Sequence, residues 1–331
     1  MPLRFLVSLL LGFCLSTLVA PAQKKASPLA GKVICLDAGH GGTAQTDHYR
    51  VGPTGEREEW INLRVALHLQ KLLEEKGATV LMTRTADDNI SFDDRVKLAV
   101  QNKAQVFLSI HHNATADSSA NFPIIYYHGY ASENVASVTL AKKVAQALVK
   151  HLYQAKVPVT IASDHTIFPT AGAKVLRDTY GIPAVIAEAS FFTNAPEEAR
   201  LKDPAYNHQE ALALVAALEA FFGKEPQKIL PKNSLHTLPP FKAAVEAERM
   251  GATAKRWKQD YQQGLALMKS KDAASQQQAY ELFSRSVRSF PDSYLAAACH
   301  RHRATLLKRL GKPAEAKQEA LRAKEFYVEL R

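Results

Sequence analysis

Cysteine is scarce in this 331-residue chain, with only Cys14, Cys35 and Cys299. That excludes a disulfide-stapled scaffold, so stability has to come from a hydrophobic core, which a chain of this length can bury. Cys35 sits in a short apolar run and Cys299 in a distant helical stretch, so both read as unpaired packing residues. The uncharged apolar run at the amino end, residues 5–19, falls short of the ~20 apolar residues that a spanning helix needs. It follows Arg4 and ends at Ala20-Pro21-Ala22. The pattern reads as a signal peptide cut after Ala22, with a membrane anchor as its rival, and the bulky Phe13 argues against lipid attachment at Cys14. The glycine-rich turn at 39–42 has neither the G-x-G-x-x-G nor the G-x-x-x-x-G-K-[ST] spacing, which leaves a nucleotide site with weak support. No nucleic-acid-binding motif accompanies the positive charge.

What is present is the composition of a soluble globular protein, 47% hydrophobic and 22% charged. The net charge of +10 is uneven: residues 251–331 carry 16 Lys and Arg against 8 Asp and Glu, and the preceding 250 carry 26 against 24. This basic tail reads either as a solvated helical surface or as one attracted to an anionic envelope polymer, lipid surface or protein partner.

Apolar β-branched runs and amphipathic stretches alternate along the first part of the mature chain. Strands are expected at 33–36, 78–83, 105–111, 124–128 and 183–187, and helices at 58–76, 92–102, 133–153 and 208–222. The segment 158–172 carries few local signals. This wiring predicts an α/β fold with a central, mostly parallel or mixed sheet flanked by helices. Residues 223–240, rich in Lys, Pro, Asn and Ser, read as a linker. Helices at 254–269, 276–290, 294–310 and 313–327 follow as a small all-α domain. The division expected is thus signal peptide 1–22, leader 23–31, catalytic domain 32–223, linker 224–250 and helical domain 251–331.

The sheet's first strand ends in Asp37-Ala38-Gly39-His40-Gly41-Gly42. A loop at the carboxyl end of a strand in such a sheet is where a ligand sits. Its glycines permit positive φ and close approach, leaving His40 as the side chain with chemical reach. His40, Glu58 at a helix start and His111 at the end of the third strand together form two imidazoles and one carboxylate. That is a Zn²⁺ ligand set with one coordination position open, the arrangement of a catalytic site. Glu188, placed after the strand at 183–187, is the spare carboxylate able to act as general base and then acid. His111 and His112 are adjacent on a strand and face opposite ways, so only one of them ligates.

These residues carry a resemblance. D-A-G-H-G-G at 37–42, E-E-W-I-N-L at 58–63, T-R at 83–84, S-I-H-H-N-A at 109–114 and P-A-V-I-A-E-A-S-F-F-T-N at 183–194 resemble the zinc-dependent N-acetylmuramoyl-L-alanine amidases of cell-wall hydrolysis. The likeness spans about 32–222. It implies zinc on His40, Glu58 and His111, Glu188 as the catalytic carboxylate, and hydrolysis of the amide joining the muramoyl lactyl group of peptidoglycan to the L-alanine of the stem peptide. It favours His111 over His112 and leaves Glu59 on a solvated part of its helix. Asp37, Asn62 and Asn113 are expected beside the ligands or on the substrate side, and His48 and His165 as surface residues of loops. The short stretch between Ala114 and Ile124 leaves little room for a helical insertion that blocks the metal, so the site is expected open. Two other readings stand beside this one: an inactive wall-binding or scaffolding protein working through its tail, and a zinc peptidase or deacetylase acting on another amide. Within the tail, Ala279-x3-Phe283 with Pro291, and Gly311 with Ala316-x3-Ala320, resemble tetratricopeptide units recurring after 37 residues, close to the ~34-residue period. Trp257, Tyr261 and Gly264 supply the first half, and an unrelated four-helix segment is the alternative. An exported, envelope-associated enzyme is the overall expectation.

Overall fold

Two packed faces of one mixed sheet organise the chain. The computed structural model describes residues 26–46, 48–153, 156–225, 227–242 and 246–330; the signal peptide expected at 1–22 lies outside them. In chain order the elements are β1 (Val33–Ala38), α1 (Glu58–Glu74), β2 (Thr79–Met82), α2 (Phe92–Gln101), β3 (Val106–Asn113), β4 (Ile124–Tyr127), α3 (Val135–Leu152), β5 (Thr160–Ser163), α4 (Lys174–Asp178), β6 (Ala184–Phe191), α5 (Ala195–Leu201) and α6 (Pro204–Phe222). The tail adds α7 (Glu246–Arg249), α8 (Trp257–Leu267), α9 (Ala273–Ser289), α10 (Ala296–Arg309), α11 (Pro313–Glu325) and β7 (Tyr327–Val328).

The strands lie in the order β2-β1-β3-β6-β4-β5-β7. β2, β1, β3 and β6 run parallel, β4 runs antiparallel to β6 and parallel to β5, and β7 runs antiparallel to β5. Strands buried on both faces read as unbroken apolar runs, which is why β1, β3 and β6 are visible in the sequence. Capping side chains set the helix starts: Ser91 accepts from the Asp94 amide at α2, Asn134 from Ser137 at α3 and Asn194 from Glu197 at α5. Asp203 caps α6 with Pro204 in its first turn, so this helix starts four residues before the expected position.

On one face Leu36, Leu108, Ile125 and Val185 pack with α1, α3 and α6. The other carries Cys35, Phe107, Ile124, Tyr126 and Ile186, covered by α2, α4 and the tail residues Trp257, Phe283, Val287, Phe290 and Cys299. Cys35 and Cys299 are free and buried. The tail is helical as expected, and it shares a core with the sheet. Phe290 meets Phe122 at 6.0 Å and Phe191 at 6.2 Å between ring centroids, and Tyr126 donates its hydroxyl to Asp292. β7 then extends the sheet, pairing Tyr327 with Ala162 and Val328 with Ile161. The residues with repeat-like spacing pack on each other: a Cβ on Gly264 would lie 3.0 Å from the Phe283 ring, and Tyr261 and Phe283 are 5.7 Å apart.

The described residues of the 224–250 segment lack regular structure over most of their length yet are strapped down. The amides of Asn233, Leu235 and His236 donate to the Glu133 carboxylate, and the Leu230 amide to the Glu133 carbonyl. No helix among the described residues is long and apolar enough to cross a membrane.

Candidate metal centre

The β1 turn is shaped for close packing. His40 itself takes φ +60°, Gly41 +122° and Gly42 +69°; the left-handed histidine is a strained conformation that persists only where its surroundings fix it. Gly39 serves differently, since a Cβ there would overlap the His111 imidazole. β1 and β3 pair in parallel register through Ala38 and Ile110, which sets His111 beside the turn.

Glu58, at the start of α1, lies between the two imidazoles. Its Oε2 is 3.2 Å from His40 Nε2 and its Oε1 is 2.9 Å from His111 Nδ1. The rings meet edge to face at 4.7 Å, and one ligand atom from each of the three residues falls within 4.8 Å of the others. Burial would raise the Glu58 carboxyl, but the charge of His40 and the hydrogen bond from His111 outweigh it and hold it well below the usual carboxylate range. Burial lowers His40, while His111 is raised because its bond to Glu58 overcomes its own desolvation.

Glu188 faces this group from β6, paired with His111 in the strand register. The strand runs on to Phe191, so Glu188 stands inside it and not beyond its end. Its Oε2 is buried without a hydrogen-bond partner, and burial, with the nearby Glu58 carboxylate, pushes the group up to about 8 against the opposing pull of His111. An acceptor-rich, partner-poor carboxylate beside two imidazoles and a second carboxylate is a set of donors that fits a dication.

Asn62, one turn along α1, donates to Glu58 Oε1 at 3.2 Å and to the Gly39 carbonyl at 3.3 Å, fixing Glu58 and the turn together. Asp37 makes no bond to the three residues; it accepts from Thr83, Ser109 and Arg95. Asn113 accepts from the Ala114 amide at 2.7 Å and makes no hydrogen bond to His40, Glu58 or His111 among the described residues. His112 points to the opposite face, buried, with Nδ1 2.8 Å from Asn62 and Nε2 3.0 Å from Glu210. His48 is exposed. Glu59 corrects the expectation of a solvated side chain, being fully buried with Arg57 Nε at 2.5 Å.

Two arginines without an expected role shape the turn. Arg84 donates to the carbonyls of Ala38, Gly39 and Glu59, and Arg95 to those of Ala38 and His40 as well as to Asp37. The T-R pair at 83–84 was the only trace of the first, and the second lies on a helix whose charges look solvated in sequence.

The sequence model of the N-acetylmuramoyl-L-alanine amidase family matches residues 34–220, more than half of the chain. An uncharacterized protein of Bacillus subtilis strain 168, YqiI, is 31% identical over 209 residues, covering 63% of this chain and 93% of that one. A probable cell wall amidase of Staphylococcus epidermidis, LytH, is 33% identical over 204 residues, covering 61% of this chain and 63% of that relative's own length. Among solved structures, an N-acetylmuramoyl-L-alanine amidase from Clostridium difficile 630 matches with a TM-score of 0.52 at 27% identity, over 59% of this chain and 98% of that one. The amidase AmiC2 of Nostoc punctiforme shares the fold, with a TM-score of 0.51 at 24% identity over 59% and 99% of the two chains. The chain belongs to the N-acetylmuramoyl-L-alanine amidase family.

Proposed function

We propose that the chain is an exported zinc-dependent amidase that cuts the amide between N-acetylmuramic acid and the L-alanine of the peptidoglycan stem peptide. The observation that carries this reading is the convergence of His40, Glu58 and His111 within 4.8 Å, with the unpartnered Glu188 Oε2 beside them. His40, Glu58 and His111 would hold the ion. Zinc on such a set supplies a Lewis acid for the carbonyl and a hydroxide source near neutral pH.

The protein's own part follows from where its groups stand. Glu188 takes the proton from the water as its oxygen bonds to the lactyl carbonyl carbon. It then returns that proton to the alanine nitrogen as the carbon–nitrogen bond breaks, leaving a lactyl carboxyl and a free amine. Burial pushes the Glu188 carboxyl up to about 8, and positive charge in the site would lower it, so that the carboxylate is the ionised base at neutral pH. Asn62 keeps Glu58 turned toward the ligand position, and Arg84 and Arg95 hold the turn that aims His40. Asp37 acts one step further out, as the anchor of Arg95.

Export rests on the amino-terminal sequence, and the basic tail is read as attracting the enzyme to an anionic envelope polymer or an envelope partner. Mass analysis of purified peptidoglycan after digestion tests the reaction. Free stem peptides beginning with L-alanine, alongside unbroken glycan, are expected. Deacetylated glycan or cuts within the peptide would assign the site to another amide, and no product at all would leave a wall-binding role.

A further inference from the structure

β4 and β5 run parallel and end in register, Tyr127 opposite Ser163. The first residues beyond the two strands, His128 and Asp164, therefore lie side by side, and His165 follows at once. Ligand atoms from His128, Asp164 and His165 all fall within 4.8 Å of one another. His128 Nδ1 is 2.8 Å from Asp164 Oδ2, and the two imidazole rings are 5.2 Å apart. This group is remote from the first. Because β4 runs against β6, with Tyr126 opposite Ile186 and Ile124 opposite Glu188, His128 is level with Ala184. That is four residues, or ~13 Å along the strand, from Glu188.

A second observation points to a missing partner. Asp164 is fully buried, and its Oδ1 has no hydrogen bond, whereas Oδ2 is occupied by His128 and by the Ala173 amide at 2.8 Å. A buried carboxylate oxygen left unmatched is destabilising, and a bound cation would match it. The neighbouring charges do not fill the role. Lys232 Nζ donates to the Arg177 carbonyl at 2.6 Å and lies over the Tyr180 ring, Arg177 Nε pairs with Asp178, and the Glu133 carboxylate is taken by three backbone amides. Gly172, at φ +70°, passes so close that a Cβ would lie 2.6 Å from both Asp164 Oδ2 and His128 Nδ1. The cluster opens on a cavity of about 270 Å³ lined by His128 and His165.

We propose that His128, Asp164 and His165 form a second divalent-metal site, at the end of the sheet opposite the catalytic centre and independent of it. Two imidazoles and one carboxylate suit zinc, cobalt or nickel and not the oxygen-preferring calcium or magnesium. With three protein donors, a fourth position is left to water from the cavity. The ion would clamp the end of β4 to the turn that follows β5.

The test uses the full chain with the first site removed, His40→Ala/His111→Ala, titrated with cobalt as the spectroscopic probe and then with zinc in competition. One equivalent is expected, with the visible absorption of a four-coordinate ion and displacement by zinc, against two equivalents in the unaltered chain. Adding His165→Ala should weaken binding by at least ~100-fold while circular dichroism reports an intact fold, since Asp164 keeps its bonds to His128 and Ala173. The neighbouring His68 and His208 rings, 5.2 Å apart, are the competing binder. Cobalt uptake unchanged by His165→Ala, or no uptake by the double variant, would overturn the proposal. Should His165→Ala fail to fold, X-ray absorption on the cobalt-loaded double variant decides: two imidazoles with carboxylate and water oxygens are expected, and any other donor set refutes the site.

Discussion

Phe290→Ala tests whether tail and sheet fold as one unit. Phe290 is buried and packs against Phe122 and Phe191 from the sheet side and against Trp257, at 5.1 Å, within the tail. Truncating a core phenylalanine costs about 3–5 kcal/mol through lost burial and the cavity left behind. With a urea slope of ~3 kcal/mol/M for a chain of this size, the midpoint should fall by about 1–2 M. The two tryptophans make the assay selective, because Trp60 lies in α1 and Trp257 in α8. Variants carrying Trp257→Phe or Trp60→Phe report the sheet region and the tail separately by fluorescence. Coincident curves are expected, with the Phe290→Ala shift appearing equally in both. A Trp60 curve that stays in place while the Trp257 curve moves would refute the shared core and support an independent domain boundary in the 224–250 segment. Truncation at Gly251, which that segment invites, should for the same reason uncover Phe122 and Tyr126 and yield insoluble protein, read by its distribution between pellet and supernatant.

Gly39→Ala should fold but bind zinc about 10- to 100-fold more weakly, because its Cβ overlaps the His111 ring; titration calorimetry reads this, and unchanged affinity would contradict the placement of His111. Glu188→Gln should lower the rate of amide hydrolysis by about 100- to 10,000-fold with the zinc content per chain unaltered, so loss of both would reassign Glu188 to the ligand set. Acid should destabilise the tail through Glu319. Burial raises its carboxyl, but His300 and Arg303 outweigh this and carry it from 4.5 to about 2, so its contribution is full above the unfolded value and is lost as pH falls through about 2. The shift corresponds to about 3 kcal/mol. Burial lowers His300, so the unfolded chain takes up that proton first and stability falls in the same direction. Glu319→Gln should flatten the stability profile between pH 5 and 2, as measured by urea midpoints, and an unchanged slope would refute the assignment.

Much of the centre was legible because its residues stand where local patterns break. The apolar run of β1 stops at Asp37 and a glycine turn, β3 ends in two histidines, and α1 opens with Glu58. Period-two alternation separates His111 from His112, and the two are indeed on opposite faces. What stayed hidden depends on contacts remote in sequence. Glu59 looks solvated beside Glu58 until Arg57 folds under it, and Arg95 looks like a surface charge of α2 until the β1 turn supplies its carbonyls. β7 is two residues long and exists only because β5 has a free edge, and β5 itself lies in a segment with few turn or periodicity signals. Composition marks residues 223–240 as irregular, which the described ones are, but carries nothing about the Glu133 carboxylate that ties them down. His165 has no local mark distinguishing a loop residue from a member of a cluster, since its partner His128 comes from another strand.

The proposed activity requires that His40, Glu58 and His111 hold a zinc ion with Glu188 next to it. Anomalous diffraction at the zinc edge, on crystals of the zinc-loaded full chain, tests it directly. A peak about 2.0–2.2 Å from one atom of each of the three residues is expected, with the Glu188 carboxylate facing the open position. Saturating zinc that leaves no peak between these side chains would contradict the account.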